Sequence, residues 1–210
     1  MKDPQTEPGG APFSSGGPRN VRGMGDERGL DTSDAAVGLS PATVDKVGKV
    51  VALPPEPLVP EKTTFLEGGP IVIGVEQRHI TTESLRALYR DNPQHAAAFE
   101  ARAHQGEVED AGVSLHILSA ASRREYLRFD CFDEDPHYHY ISHDDQGILQ
   151  NRWVIYDRAA NGAMLPWALE RLRHHLPAML AGAGADPAMV RVDPATLERL
   201  VDEVAALATA

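Results

Sequence analysis

The chain of 210 residues is poor in cysteine, in basic side chains and in long apolar runs. Its one cysteine, Cys131, excludes a disulfide within the chain and agrees with a reducing compartment. Lysine and arginine number 20 against 31 acidic residues, which gives a formal net charge of -11. Because nonspecific binding to a phosphate backbone needs clustered basic side chains, we expect no nucleic-acid partner. No apolar run approaches the roughly 20 residues that cross a bilayer, and the first residues lack the apolar core of a secretion signal, so we expect a cytoplasmic protein without a membrane partner.

Aromatic residues are almost missing from the first sixty residues, where Phe13 is the sole example among many prolines and glycines. Such a segment buries too little apolar surface to offset the roughly 1 to 2 kcal/mol of backbone entropy lost per ordered residue. We therefore predict a long disordered N-terminal leader over residues 1–60 and a single domain over residues 61–210. Within the leader, the one candidate element is a marginal helix over residues 41–51.

Short strand-like runs and amphipathic helices share the rest of the chain. Thr81 or Thr82 is a typical cap of a helix, and Asn92-Pro93 separates that helix from the next one. Leucines recur at helical spacing over residues 165–180, although Pro177 is expected to kink or shorten that helix, and Asp193-Pro194 is a typical start of a last helix. Strands are predicted over residues 70–75, 113–118, 125–131, 136–142 and 153–156. The fold class is therefore α+β, with an antiparallel β-meander of about four or five strands packed on helices.

The predicted hairpin within residues 126–143 carries most of the chemistry. Successive side chains of a strand point to opposite faces, so His137 and His139 share one face, with Cα atoms roughly 6.5 to 7 Å apart. Pairing of the two strands puts Arg128 and Asp130 on that same face. Apolar and aromatic side chains take the other face and are expected to pack on the leucine helix, which leaves the histidines on an open side of the sheet.

Two interpretations of this histidine pair remain. In the first, His137 and His139 bind a divalent transition-metal ion through neutral imidazoles, and Asp130, His143 or Asp144 supplies a third ligand. In the second, the histidines donate hydrogen bonds to neighbouring carboxylates and hold a tight turn without an ion. The spacing alone does not decide between them.

Several sequence blocks resemble a small bacterial family of uncharacterised proteins that share a domain of unknown function. The blocks are LRFDCF at residues 127–132, PHYHY at residues 136–140, WALERL at residues 167–172 and LPAML at residues 176–180. The resemblance covers roughly residues 112–184. It implies that the hairpin and the following helix form one unit, and it brings no activity, cofactor or site.

The leading functional prediction is a small cytoplasmic accessory protein that binds a metal or an anionic small molecule through Arg128, Asp130, His137 and His139. One alternative is a noncatalytic subunit of a larger complex, an interaction module that docks on a partner through the open face of the sheet or through the leader. Another is a metal-dependent hydrolase or dioxygenase, which needs three ligands and an open coordination position. Whether the chain is an enzyme, and on which substrate, is not decided by the sequence.

Overall fold

The computed structural model describes residues 47–103 and 106–209, and within them one antiparallel sheet is flanked by helices on both faces. The strands are β1 (Lys49–Val51), β2 (Thr63–Gly68), β3 (Ile71–Thr81), β4 (Glu109–Ser119), β5 (Glu125–Phe132), β6 (His137–Asp144) and β7 (Gly147–Ile155). The helices are α1 (Thr82–Tyr89), α2 (Pro93–Ala103), α3 (Arg158–Asn161), α4 (Met164–Gly182), α5 (Pro187–Val190) and α6 (Pro194–Ala208).

Strands β2 to β7 form a meander, because each pairs with its neighbour in the chain, and β1 joins the far edge beside β7. The described residues therefore hold a sheet of seven strands in the order β1-β7-β6-β5-β4-β3-β2. This confirms the α+β class and the antiparallel meander, with a sheet larger than the predicted four or five strands. The additional strands, β1 and β2, lie at the two edges, where half-exposed residues give weak apolar alternation.

The described fold begins inside the segment that the sequence assigned to the leader. Lys49, Val50 and Val51 pair with β7, so Val51 lies in a strand and not in the marginal helix predicted there. Three consecutive residues that include two valines fit an extended edge better than a helix, because β-branched side chains are stiff in helices. Residues 1–46 of the predicted leader and helix lie outside the described residues.

A proline-rich segment, which we call the strap (residues 52–59), connects β1 at one edge of the sheet to β2 at the other. It crosses one face of the sheet and contacts β7 near Leu53 and β3 near Val59. Four strand spacings of about 4.8 Å separate β7 from β3, and six residues of extended chain at about 3.1 to 3.3 Å each cover that distance. Proline suits this path because it fixes an extended backbone and brings no N–H group that would need a partner when covered.

Helices α1 and α2 leave the sheet between β3 and β4 and pack beside the strap. Thr81 caps α1, as one of the two predicted threonines. Its hydroxyl accepts a hydrogen bond from the Ser84 backbone N–H, and the Ser84 hydroxyl accepts one from the Thr81 N–H, which forms a capping box. Leu53 of the strap packs with Tyr89 of α1 and Phe99 of α2 in a small apolar cluster of its own. The strap, α1 and α2 together cover the face of the sheet that the sequence predicted to be open.

The main core lies on the opposite face, beneath α4 and α6. Fully buried Leu172, Leu176 and Leu180 of α4 pack against the sheet with Leu127 and Phe129 of β5. The predicted leucine helix is thus confirmed, and it continues through Pro177 to Gly182 without being shortened. Asp193 caps α6 as predicted by accepting a hydrogen bond from the Thr196 N–H. None of the helices in the described ranges is both long and apolar enough to cross a membrane.

We predict that Leu172→Ala lowers the free energy of unfolding by about 2 to 5 kcal/mol, because it removes a fully buried side chain from the main core. The matched control is Leu88→Ala, at a partly exposed position of α1, for which we expect a loss of about 1 kcal/mol or less. Urea unfolding of the three proteins measures the difference. Equal losses for the two variants would contradict the assignment of the core to the α4 side of the sheet.

Candidate metal centre

Two rows of polar side chains run across the sheet on the side of the strap, which we call the strap face. Directly paired positions on β3 to β6 form the first row, and directly paired positions on β4 to β7 form the second. The first row is Glu76, Ser114, Asp130 and His137, and the second is His116, Arg128, His139 and Trp153. Paired residues of antiparallel strands point the same way. The two rows are two residues apart along each shared strand, so both rows lie on the same face. The predicted common face of Arg128, Asp130, His137 and His139 is therefore present.

Asp130, His137 and His139 converge on one point of the strap face. The Nε2 atoms of His137 and His139 each lie 3.3 Å from the same carboxylate oxygen, Oδ2 of Asp130. Among the described residues these three side chains form a group whose ligand atoms all lie within 4.8 Å of one another. Asp130 and His139 are buried, and His137 is half-buried. Solvent is therefore largely excluded from the point on which the three side chains converge.

The hydrogen bonds on the far side of each ring fix which histidine nitrogen carries the proton. Nδ1 of His137 lies 2.6 Å from the Asp135 carbonyl oxygen, which only accepts, so Nδ1 must donate. Nδ1 of His139 lies 2.8 Å from Oδ1 of Asn151. The Asn151 amide nitrogen donates to the Leu53 carbonyl of the strap at 2.9 Å, which fixes the amide so that its oxygen faces His139. In both neutral rings the proton is therefore on Nδ1, and the lone pair of Nε2 points at Asp130.

This arrangement directs three electron-pair donors at one point, where a positive charge would be stabilising. A proton on one imidazole would supply such a charge, and so would a metal ion. Ligands at about 2.1 Å from one ion lie roughly 3.0 to 3.4 Å apart in octahedral or tetrahedral geometry, and the two N-to-O separations of 3.3 Å fall in that interval. Charge-assisted hydrogen bonds between nitrogen and oxygen are shorter, at about 2.7 to 2.9 Å. The two nitrogen-to-oxygen distances and the Nδ1 tautomers are therefore compatible with a metal ion.

The pKa values of the three groups are consistent with one shared positive charge. Burial would raise the pKa of Asp130, but its side-chain contacts with His137 and His139, and then the charge of Arg128, hold it well below its usual range. Burial lowers the pKa of His137, yet the Asp130 carboxylate outweighs burial and the net shift is upward. The pKa of His139 is lowered by burial, with a further contribution from the charge of His137. Ser114 donates its hydroxyl to Oδ1 of Asp130 and leaves Oδ2 directed at the two rings.

A second carboxylate, Asp110 of β4, shapes the turn that holds His137. Its Oδ1 accepts from the backbone N–H groups of Asp133 and Glu134 at 3.1 Å, and its Oδ2 accepts from the N–H of Asp135 at 2.8 Å. These bonds fix the turn between β5 and β6. The carbonyl of Asp135 in that turn is the acceptor for His137 Nδ1, so Asp110 positions His137 through the turn.

A network of buried ions lies next to the three converging residues. Arg128 donates from Nε and Nη2 to the two carboxylate oxygens of Glu125 at 2.9 and 2.6 Å. The ring of His116 lies between Glu125, 2.6 Å from Nδ1, and Glu76, 3.1 Å from Nε2. Burial lowers the pKa of His116, but the two carboxylates outweigh burial and raise it. Because a carboxylate only accepts, Nδ1 of His116 donates to Glu125, and the ion-pair contact of Nε2 with Glu76 favours the imidazolium form.

The strap contributes to this network through both its backbone and a side chain. Its Glu56 carbonyl accepts from Nη1 of Arg128 at 2.7 Å, and the Glu56 carboxylate pairs with Nη2 of Arg78 at 2.7 Å. The Val59 N–H donates to Glu76 at 3.3 Å. The strap is therefore fastened to β3, β5 and, through Asn151, to β7.

A cavity of about 350 Å³ lies between the strap face, the strap and the helix pair α1 and α2. Asp130, His137 and His139 line it on the sheet side together with Arg78 and Arg128. Leu53, Leu85, Tyr89 and Phe99 line it on the side of the strap and helices. An ion held by the three converging residues would thus face a space that a small molecule can occupy.

The structure brings together three of the five predicted metal ligands and keeps the other two apart from them. His143 donates from Nε2 to the Glu125 carbonyl at 2.6 Å and contacts the ring of Tyr126. Asp144 accepts from the backbone N–H groups of Gln146 and Gly147 and caps the turn between β6 and β7. Distance along the strand accounts for this, because four and five residues of extended chain, roughly 13 to 17 Å at about 3.3 Å per residue, separate His143 and Asp144 from His139.

Sequence reasoning missed the residues that support the cluster. The alternation of Ser114 and His116 with apolar residues on β4 indicated a polar face of that strand. Glu76 and Arg78 follow an apolar run, which indicated their place on the sheet less clearly. No local pattern indicated Asp110, Asn151 or Glu56, because each acts through contacts with segments far away in the chain.

We predict that Glu125 stabilises the fold in a pH-dependent way. Burial would raise the pKa of Glu125, but Arg128 and then His116 outweigh burial and lower it from 4.5 to about 2. A folded-state pKa below the unfolded one gives stabilisation that is complete above pH 4.5 and is lost as the pH falls toward 2. At about 1.4 kcal/mol per pKa unit, the stabilisation is about 3 kcal/mol. Urea unfolding of wild type and Glu125→Gln should therefore differ most above pH 5, and the difference should shrink toward pH 2.

The control for this measurement is Glu203→Gln, which removes an exposed ion pair with Arg199 on α6. We expect less than about 1 kcal/mol from this change at every pH. A difference between wild type and Glu125→Gln that stays constant from pH 6 to pH 2.5 would contradict the prediction.

Comparison with known proteins identifies a family and no characterised relative. The family model described as Domain of unknown function (DUF7700) matches residues 65–208. No curated protein matches the chain, and no solved structure does. The matched region extends beyond the resemblance seen in the sequence, since it includes the last helix, and it contains Asp130, His137 and His139. The strap, residues 52–59, precedes the matched region in the chain. The chain belongs to the DUF7700 family, a domain of unknown function.

Proposed function

We propose that this protein binds a divalent transition-metal ion through Oδ2 of Asp130 and Nε2 of His137 and His139. The observation that carries the proposal is the hydrogen bonding of both rings through Nδ1, which directs two Nε2 lone pairs at one carboxylate oxygen. Ligating histidines commonly donate their other ring nitrogen to a carbonyl or carboxylate in this way. Asp135 and Asn151 would then be the outer partners of the two imidazoles.

The donor set favours an ion of the zinc, iron, copper or nickel group. Imidazole nitrogen suits these ions, and two histidines with one carboxylate are the ligand set of nonhaem Fe(II) oxygenases and of some zinc enzymes. Three protein ligands leave at least one coordination position for water or a substrate. The cavity beside the cluster supports the view that this position is accessible to a small molecule.

Among the functions that the sequence left open, a metal-binding protein with a small-molecule cavity is the best supported. The three-ligand set beside a cavity favours metal-dependent hydrolysis or oxygenation as a second candidate, in which the ion would supply Lewis-acid or oxygen chemistry. An interaction module that docks through the strap face has less support, because the strap, α1 and α2 cover that face. Docking through the leader concerns residues outside the described ranges.

We predict that the full chain binds about one equivalent of Zn²⁺ or Co²⁺ and that His137→Ala, His139→Ala and Asp130→Asn each remove stoichiometric binding. Each change deletes one of three ligands, and two remaining ligands hold a divalent ion weakly. Equilibrium dialysis followed by elemental analysis measures the stoichiometry. Circular dichroism of each variant shows whether the fold is intact, so that loss of the ion can be told apart from unfolding.

The matched control is His174→Ala, which changes an exposed histidine of α4 that is paired with Glu170. We expect this variant to retain the ion in full. Wild-type protein without a stoichiometric ion after dialysis against either metal would refute the proposed function.

Asn151 and Asp110, which position His139 and His137, give an independent prediction. Asn151→Ala and Asp110→Asn should each weaken metal affinity by about 10- to 100-fold while one equivalent still binds, since the ligands remain but lose their fixed orientation. Competition with a chromogenic chelator measures the affinity. Asp144→Asn is the control, because Asp144 also accepts backbone N–H groups in a hairpin turn but lies outside the cluster. An effect of Asp144→Asn as large as that of Asp110→Asn would contradict the assigned roles.

A further inference from the structure

The cavity beside the proposed metal centre has two chemically different sides. On the side of the sheet, Asp130, His137 and His139 present ligand atoms. On the opposite side, Leu85, Tyr89 and Phe99 present an aliphatic and aromatic wall, contributed by α1 and α2. A molecule that reaches from one side to the other needs a polar end for the ion and an apolar body for the wall.

The size of the cavity limits the occupant to a small molecule. Ligand sites in proteins span roughly 300 to 1,000 Å³, and the volume of about 350 Å³ lies near the lower end. A single ring with a short polar group fits such a space, whereas a nucleotide or a peptide does not. The apolar wall favours a ring over a sugar-like body, because burial of a polar body without partners costs free energy.

The charges around the cavity favour an anionic polar end. Arg78 and Arg128 line it on the side of the sheet, where Arg78 pairs with Glu56 and Arg128 with Glu125. Glu107 and Asp135 also line the cavity, and both are exposed to solvent. The carboxylate of Asp110, which also lines the cavity, is occupied by backbone N–H groups of the turn. A divalent ion held by the Asp130 carboxylate and two neutral imidazoles would keep one excess positive charge within its own ligand shell, which a singly charged oxygen donor neutralises.

We propose that the cavity binds a small anionic oxygen chelator with an apolar ring, whose oxygens bind the ion of Asp130, His137 and His139 while the ring packs on Leu85 and Phe99. This inference rests on the proposed metal-binding function and adds the class of ligand to it. Leu85 and Phe99 are then specificity-determining residues, since they contact the part of the ligand that does not reach the ion.

Two hydroxamates test this inference, because they share the chelating group and differ in the apolar body. Benzohydroxamate carries a phenyl ring, and acetohydroxamate carries a methyl group. Titration of each into the Co²⁺-loaded full chain is followed by the visible absorption of the ion, which changes when oxygen donors enter its coordination shell. We expect benzohydroxamate to bind at least about tenfold more tightly, since burial of a ring contributes more than burial of a methyl group.

A matched pair of variants on α1 tests whether Leu85 belongs to the apolar wall of the cavity. Leu85→Gln, on the side of the cavity, should weaken benzohydroxamate binding by about tenfold and leave acetohydroxamate within about twofold. Leu88→Gln, on the outer side of the same helix, should change neither affinity. Retention of one equivalent of Co²⁺ shows that each variant is folded at the site.

The outcomes separate this inference from the function on which it rests. Failure of the wild type to bind Co²⁺ overturns the proposed function, and the inference with it. Stoichiometric Co²⁺ with no hydroxamate binding, or with equal affinities for the two probes, overturns the inference alone. Equal effects of Leu85→Gln and Leu88→Gln overturn the assignment of the apolar wall.

Discussion

Compensation of buried charge on the strap face is the constraint on which the rest of this structure depends. Three carboxylates, two guanidinium groups and two imidazoles are buried on this face of β3 to β6, where isolated charges would be strongly unfavourable; they belong to Glu76, Asp110, Asp130, Arg78, Arg128, His116 and His139. Arg128 lies at the centre, because it binds both oxygens of Glu125 and the Glu56 carbonyl of the strap. The network is satisfied only when sheet, strap and turn are all in place, so it ties these segments to a single arrangement.

The strap turns a sheet face into the floor of a cavity. Its carbonyl groups accept hydrogen bonds from Asn151, Arg128 and Tyr89, and its prolines offer no N–H groups that would compete for the same partners. The bond from Asn151 to the Leu53 carbonyl also sets the amide orientation that fixes the His139 tautomer. The Asn151 side chain therefore links the position of the strap to the protonation of His139 in the proposed metal centre.

Much of the candidate site was predictable because hairpin geometry is local. Alternation along β5 and β6 and a short turn place Arg128, Asp130, His137 and His139 on one face, and the structure has them there. The structure does not bring His143 and Asp144 to the cluster, because they lie four and five residues beyond His139 on β6, too far along an extended strand to reach it. Supporting groups such as Asp110 act across turns that no local pattern describes.

The sequence by itself determined the α+β class, the amphipathic helices α4 and α6 and the polar face of the hairpin, since each follows from a short-range periodicity of apolar side chains. Tertiary structure alone decided that residues 52–59 form a strap, because proline-rich composition is shared by disordered chains and by extended segments held at both ends. It also decided that the histidine face is covered and that His139 carries its proton on Nδ1. These features depend on contacts between residues as far apart as Leu53 and Asn151, and the free energy of such contacts is absent from any local pattern.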